Sequence, residues 1–144
     1  MNQVGYQVPH SGRGYAAVAI FSTQEYDLAR EYIEVKLIDT LKTGIKYCVN
    51  FYVSLANDFN FGSTGMGAYL STNILHQCDI EFSTLLFQPQ VYASLTEPIM
   101  DTVNWVEVSG EFIAQGGELF LTIGNFFAGE SIIFQQFNNI AYVS

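Results

Sequence analysis

The chain has 144 residues, a length that suits one domain spanning residues 1–144. Only 13% of the residues are charged, and 14 acidic against 5 basic side chains give a formal net charge of −9. This excess of negative charge argues against nucleic acid and anionic membranes as partners, because both are bound by clustered Lys and Arg. No apolar run approaches the ~18 residues of a membrane-spanning helix, so we expect no membrane insertion.

Hydrophobic residues recur with a period of two, which predicts strands. Eight strands are predicted, at about residues 14–21, 31–38, 46–54, 67–71, 90–93, 104–114, 119–125 and 132–143, the last broken near 138–139. In the third, Val49 and Phe51 share one face, and in the sixth Val106 and Val108 do. Glycine-containing turns at 43–44, 116–117 and 128–129 separate the runs. Short strands with such turns predict an all-β sandwich or barrel.

Two long loops, at about residues 56–66 and 72–88, are candidate functional regions, since function in β domains is commonly carried by loops. The first loop combines aromatic rings, which stack on the apolar faces of sugars, with amides, which hydrogen-bond sugar hydroxyls. Its candidate ligand-binding residues are Asn57, Asp58, Phe59, Asn60 and Phe61. Candidates to extend this surface are Tyr52, Tyr69, Asn125 and Phe126. Trp105, inside a predicted strand, is expected to be a packing anchor.

No catalytic residue is predicted. The chain has no G-x-S-x-G motif, and its two histidines have no evident partners. Glu107 and Glu111 would lie on one strand face, where we interpret them as solvated rather than as an acid–base pair.

The two cysteines, Cys48 and Cys78, form no C-x-x-C motif, so no zinc site is expected. Two alternatives stay open for them. They form one disulfide if the chain is exported, or they are buried free thiols, the alternative we favour because the strand around Cys48 can bury it.

Several segments resemble a domain of exported Bacteroidota proteins, which often accompanies OmpA-like or gliding-motility-associated segments. They are Arg30–Leu37, Leu41–Ser54, Gly67–Ser71, Trp105–Gly110 and, most distinctively, Gly116–Phe126. The domain is similar to carbohydrate-binding-module jelly rolls of the galactose-binding-like type. The resemblance covers most of the chain from Ser11 onward. It implies a two-sheet antiparallel jelly-roll sandwich with an extracellular or cell-surface location.

Two features depart from that family. Its members begin with a further strand carrying an Asn-Pro-Ser-Phe-Glu-like segment, which this sequence lacks, so an unpaired sheet edge is expected. They also end in Ile-Asp-Asp-Val, where an aspartate helps to hold a structural Ca²⁺. The matching residues here are Asn138, Asn139, Ile140 and Ala141. Amides lack the charge that calcium sites use, so neither a calcium ion nor another cofactor is expected.

Two functional hypotheses follow. The first is a non-catalytic carbohydrate-binding-like module of an exported or surface protein, with a polysaccharide or glycan as partner. The alternative is a structural module of a surface adhesin or fibre that self-associates through the unpaired sheet edge. No signal peptide is visible at the N-terminus, which leaves two alternatives open: an excised domain or fragment of an exported protein, which we favour, or a cytosolic protein.

Overall fold

The computed structural model describes residues 5–20, 30–75 and 85–137. Within these ranges the chain forms eight strands and one short 3₁₀ helix. The strands are β1 (Ile33–Lys36), β2 (Lys46–Val53), β3 (Phe61–Ser63), β4 (Met66–Ser71), β5 (Val91–Tyr92), β6 (Val106–Ile113), β7 (Phe120–Asn125) and β8 (Phe134–Gln136), and the 3₁₀ helix is Gly129–Ser131.

The strands form three antiparallel sheets. The largest has four strands in the order β1-β7-β4-β5, and the other two are the pairs β2-β6 and β3-β8. In the β2-β6 pair, Phe51 lies opposite Val108 and Asn50 opposite Ser109. Side chains therefore alternate across this pair, with Phe51 and Val108 facing one side and Asn50 and Ser109 the other.

The four-stranded sheet and the β2-β6 pair enclose one hydrophobic core. Its centre consists of Ala68 from β4, Val91 from β5 and Val108 from β6. Packed around them are Val49, Phe51, Val53, Ala93, Phe112, Leu121 and Ile123. Gly110 lets the layers approach closely, because a Cβ at this position would lie 3.1 Å from the Val91 side chain. The molecule is thus a β-sandwich whose two layers share apolar side chains.

The predicted all-β antiparallel class is confirmed, and jelly-roll connectivity stays a prediction. Six predicted strands, from the second to the seventh, are present; five are shorter than predicted, and β4 begins one residue earlier, at Met66. Exposure alternates as predicted in β2 and β6: Val49 and Val108 face the core, and Asn50 and Glu107 face outward.

The first predicted strand is wrong for residues 14–20, which form no regular strand. One backbone hydrogen bond joins this segment to the residues just before β1, from the Glu31 N–H to the Ala19 carbonyl. The Glu31 carboxylate accepts the Ala19 N–H at 2.8 Å. The Glu31 side chain thus accepts a backbone N–H that a neighbouring strand would accept in a sheet. Residue 21 lies outside the described ranges.

Two further details differ from expectation at β3 and β8. The loop at 56–66 contains β3, which the sequence pattern missed because its partner β8 is more than 70 residues away, with Phe61 opposite Gln136. β8 is shorter than its prediction, and the break expected near 138–139 lies outside the described residues.

The expected burial of Cys48 is wrong. Cys48 is an exposed free thiol, because it lies on the outward face of β2 opposite Glu111. Cys78 lies outside the described ranges.

In the part of the chain that the structure describes, no helix has the length and apolar character needed to cross a membrane.

Replacing a core valine tests the two-layer packing. Val108→Ala should lower the free energy of unfolding by about 2 kcal/mol, because a buried side chain is truncated and a cavity remains. The matched control is Val35→Ala on β1, since Val35 is 53% exposed whereas Val108 is 3% exposed. The control should change stability by less than about 0.5 kcal/mol. Urea unfolding followed by circular dichroism measures both, and equal losses would contradict the packing.

Candidate functional site

An extended N-terminal segment, residues 5–10, lies at the end of the sandwich where β2 ends and β6 begins. Pro9 favours this extended conformation, since proline fixes its own backbone and restricts the residue before it. The Trp105 indole Nε1 donates to the Val8 carbonyl at 2.8 Å. The Asn57 amide bonds the Tyr6 backbone twice, accepting its N–H at 3.1 Å and donating to its carbonyl at 3.2 Å.

Gln7 joins the same segment both to the residue after β2 and to the loop before β6. Its Nε2 donates to the Ser54 hydroxyl at 2.8 Å and to the Val103 carbonyl at 3.2 Å. Its Oε1 accepts the Val8 N–H at 2.9 Å. Gln7 therefore acts as a bridge within the protein, with its amide hydrogens already used.

An aromatic cluster continues from this segment onto the outward face of the β2-β6 pair. The His10 ring stacks on Tyr52, with centroids 3.6 Å apart and planes inclined by 14°. His10 and Tyr15 both meet the Trp105 ring edge-on, at 6.4 Å and 5.9 Å. These ring contacts add to the hydrogen bonds that hold the segment.

The opposite wall is the loop at 101–105, which Asp101 organises. Its carboxylate accepts the backbone N–H groups of Val103 at 2.8 Å and Asn104 at 2.7 Å, and the Asn104 side-chain amide at 3.0 Å. The hydrogen bonds from Asn104 and Val103 lower the pKa of Asp101 from its usual value, because they stabilise the ionised form. The Asp101 carbonyl accepts the Leu55 N–H at 2.9 Å and so joins the loop to the end of β2.

Between these two walls lies a groove of about 620 Å³, which we call the N-terminal groove. Tyr6 and Val103 are 77% and 75% exposed, so their apolar surfaces are open to a ligand. The groove is lined by Tyr6, Gln7, Val8, Pro9, His10, Asn57, Thr102, Val103, Asn104 and Trp105. Apolar surface combined with a few polar groups is the composition expected of a small-ligand site.

The groove contains one of the predicted ligand-binding residues, Asn57. Asp58 is exposed beside it. Phe59 and Phe61 are exposed but are not part of the groove lining. Asn60 uses its carbonyl to accept the Phe137 N–H at 2.9 Å. Of the five candidate residues in the loop at 56–66, Asn57 alone lines the groove.

Asn125 and Phe126, also predicted as ligand contacts, are fully buried. The Asn125 amide donates to the Thr64 carbonyl at 3.0 Å and accepts the Phe127 N–H at 3.2 Å. The Asn125 backbone carbonyl accepts hydrogen bonds from the Arg30 guanidinium and from the Tyr32 hydroxyl. Their position gives these two residues a structural role at the end of β7.

Tyr69, the remaining predicted contact, is half-buried and stacks on Phe87 with centroids 4.8 Å apart. It borders a second pocket of about 430 Å³ beyond the other end of β6. The polar groups of this pocket are largely used within the protein. The Glu118 carboxylate accepts the N–H groups of Gln115 and Gly116, at 2.7 and 2.8 Å. The Gln90 amide pairs with the Leu70 backbone, so the N-terminal groove is the better candidate site.

Sequence reasoning missed Tyr6, Gln7 and His10. The sequence offers only a short alternation, of Tyr6 and Val8 with Gln7 and Pro9, and in the structure Tyr6, Val8 and His10 are more exposed than the residues between them. The run is short, and it ends at a turn where Gly12 has a φ of +66°. Three alternating positions are too few to distinguish an ordered segment from a tail.

Among the described residues, no group of three or more His, Cys, Asp or Glu side chains is placed to hold a metal ion. The stretch that begins at Asn138, considered above for calcium, lies outside the described ranges.

The pKa of Asp101 gives a direct test of the loop. The depressed value means that this carboxylate stabilises the fold above its unfolded-state pKa, and that the contribution is lost as pH falls through the folded pKa. A carboxyl titration by NMR should therefore find the Asp101 midpoint below 3.8. Asn104→Ala, which removes the side-chain donor, should raise that midpoint. A midpoint at or above the ordinary value in the unmodified protein would show that the loop hydrogen bonds do not form in solution.

Comparison with known proteins gives no relative to guide the assignment. No protein-family model matches the chain, and neither a curated protein nor a solved structure gives a significant match. The resemblance noted from the sequence stays a prediction.

Proposed function

We propose that this chain is a non-catalytic carbohydrate-binding module of an exported or cell-surface protein, and that the N-terminal groove holds the glycan. The observation that carries the proposal is the combination, in one groove, of the exposed Tyr6 ring with the amides of Asn57 and Asn104.

A pyranose presents apolar C–H faces and a rim of hydroxyls. The Tyr6 ring offers a flat surface on which such a face can stack, since most of its area is open to solvent. An aromatic ring holds few rotatable bonds, so fixing it against a ligand loses little conformational entropy. Val103 and Pro9 extend the apolar lining.

Polar groups with spare hydrogen-bonding capacity border this apolar surface. Within the described ranges Asn57 uses one of its two amide hydrogens, on the Tyr6 carbonyl, which leaves the second for a ligand. Asn104 donates through its nitrogen to Asp101, and its side-chain oxygen accepts no hydrogen bond within the described part of the chain. A donor and an acceptor at one groove suit the hydroxyls of a sugar, which act as both.

The groove is held in shape without a ligand. Trp105 and Asn57 fix the N-terminal segment, and Asp101 fixes the facing loop. A preorganised site loses less free energy on binding than one that must first be ordered.

Three acidic residues of the facing loop and of β6, Asp101, Glu107 and Glu111, are engaged within the protein, which favours binding over catalysis. Asp101 accepts three hydrogen bonds from its own loop. Glu107 faces outward and accepts the Asn50 amide at 3.4 Å, and Glu111 forms an exposed ion pair with Lys46. Glycoside hydrolysis uses two carboxyl groups that face each other across the scissile bond, and these three carboxylates are each engaged elsewhere.

Tyr6→Ala should weaken glycan binding about tenfold, which corresponds to about 1.4 kcal/mol, because the stacking surface is removed. A glycan array identifies the ligand, and affinity electrophoresis in gels of that polysaccharide measures the change. Phe59→Ala is the matched control, since Phe59 is also an exposed aromatic residue but lies outside the groove lining.

The control should bind as the unmodified protein does. Loss of binding in Phe59→Ala but not in Tyr6→Ala would move the site to the loop at 56–66. Failure of the unmodified protein to bind any glycan at millimolar concentration would refute the proposal.

A second candidate function, self-association, is favoured by the surface of β1. This strand is outermost in the four-stranded sheet, and Val35 lies opposite Leu121, which packs on the core. Ile33 and Val35 are nevertheless exposed, and among the described residues the opposing layer has two strands against four. A second copy that covers this face would bury apolar surface and a sheet edge.

If this second candidate is correct, light scattering after size exclusion should show a concentration-dependent dimer. Val35→Lys should convert it to a monomer, because a buried unpaired charge opposes association. Lys36→Ala on the same strand is the control. A monomer at every concentration of the unmodified protein would exclude the candidate.

A further inference from the structure

We infer that the N-terminal groove selects neutral glycans over anionic ones. This inference rests on the proposed function and adds the chemical class of the ligand. It follows from the charge of the lining and of the surface around it.

The ten residues that line the groove include no Asp, Glu, Lys or Arg. The one imidazole among them, that of His10, is stacked on the Tyr52 ring. The groove thus offers hydroxyl, amide and aromatic groups but no permanent cation. Carboxylate and sulfate groups are normally recognised by Arg or Lys, which supply charge-assisted hydrogen bonds.

Acidic side chains surround this uncharged lining. Asp58 follows Asn57 in the chain and is exposed. Asp101 lies behind the facing wall, and Glu107 accepts the amide of Asn50 on the neighbouring outward face. An anionic sugar would therefore approach a surface of its own sign, in a chain whose formal net charge is −9.

No basic residue lines the groove. Arg30 is buried and donates to the Asn125 carbonyl at 3.0 Å, and Lys46 pairs with Glu111 at 3.0 Å. Arg13 is the single basic residue of the segment 5–20, and it is not part of the groove lining. An anionic group placed in the groove would lose water without gaining a cationic partner, which is unfavourable.

Polysaccharides that share one backbone and differ in charge test the inference. Suitable pairs are dextran and dextran sulfate, hydroxyethyl- and carboxymethyl-cellulose, and methyl-esterified and de-esterified homogalacturonan. Affinity electrophoresis at physiological ionic strength should show retardation by at least one neutral polymer. Its charged counterpart should bind at least about tenfold more weakly.

Introducing a cation into the groove should change this preference. Val103→Lys replaces an exposed side chain in the lining and should strengthen binding of the charged polymer about fivefold at low salt, as expected for one close ionic contact in water. Binding of the neutral polymer should not strengthen, because the substitution removes apolar surface from the lining. Ile38→Lys is the matched control, since Ile38 is 99% exposed and lies outside the groove lining. It adds the same charge at a distance and should leave the preference unchanged.

Tighter binding of the charged polymer by the unmodified protein would overturn the inference while leaving the proposed function intact. Equal gains from Val103→Lys and Ile38→Lys would also overturn it, because the charge would then act through the whole molecule and not at the groove. Binding of neither neutral nor charged polymers would refute the proposed function and, with it, the inference.

Discussion

The two-residue alternation of β6 is the constraint on which both the core and the candidate site depend. Its even-numbered positions carry Val108 into the shared interior, whereas Glu107 on the odd-numbered series faces outward. Trp105 precedes the strand on that outward series, where its ring meets His10 and its indole nitrogen binds the Val8 carbonyl. A shift of register by one residue would exchange these two sets of side chains. The register of β6 therefore determines both the packing of the sandwich and the attachment of the N-terminal segment.

The N-terminal segment is attached differently from the strands. Backbone ladders join the strands, whereas Asn57, Gln7 and Trp105 hold residues 5–10 mainly through their side chains. Such attachment joins the Tyr6 and Val8 backbone groups to side chains instead of to a neighbouring strand, and it gives the groove a wall that differs chemically from a sheet edge. It also makes the site sensitive to single substitutions, because each side chain supplies a bond that no neighbouring residue duplicates. The groove consequently depends on hydrogen bonds from two amide side chains and one indole, in addition to the packing of the sandwich.

The sequence was sufficient for features that depend on local patterns. Alternation predicted β2 and β6 and the face on which Val49 and Asn50 lie. It failed where the outcome depends on distant partners: β3 exists because of β8, and Phe126 is buried because other rings cover it. Of the candidate site, Asn57 was predicted from its loop, since an amide among turn residues is a local signal. Tyr6 and Gln7 could not be predicted, because their positions depend on residues about 50 positions or more away.

The place of Trp105 has a practical consequence for spectroscopy. It is the only tryptophan of the chain, it lines the groove, and its neighbours include His10 and Tyr15. When it is excited at wavelengths that the nine tyrosines do not absorb, its emission is therefore an intrinsic optical reporter of this one region. Occupancy of the groove or release of the N-terminal segment would alter the polarity around the indole and shift its emission maximum. Tryptophan fluorescence can thus report ligand binding at the groove without an added label.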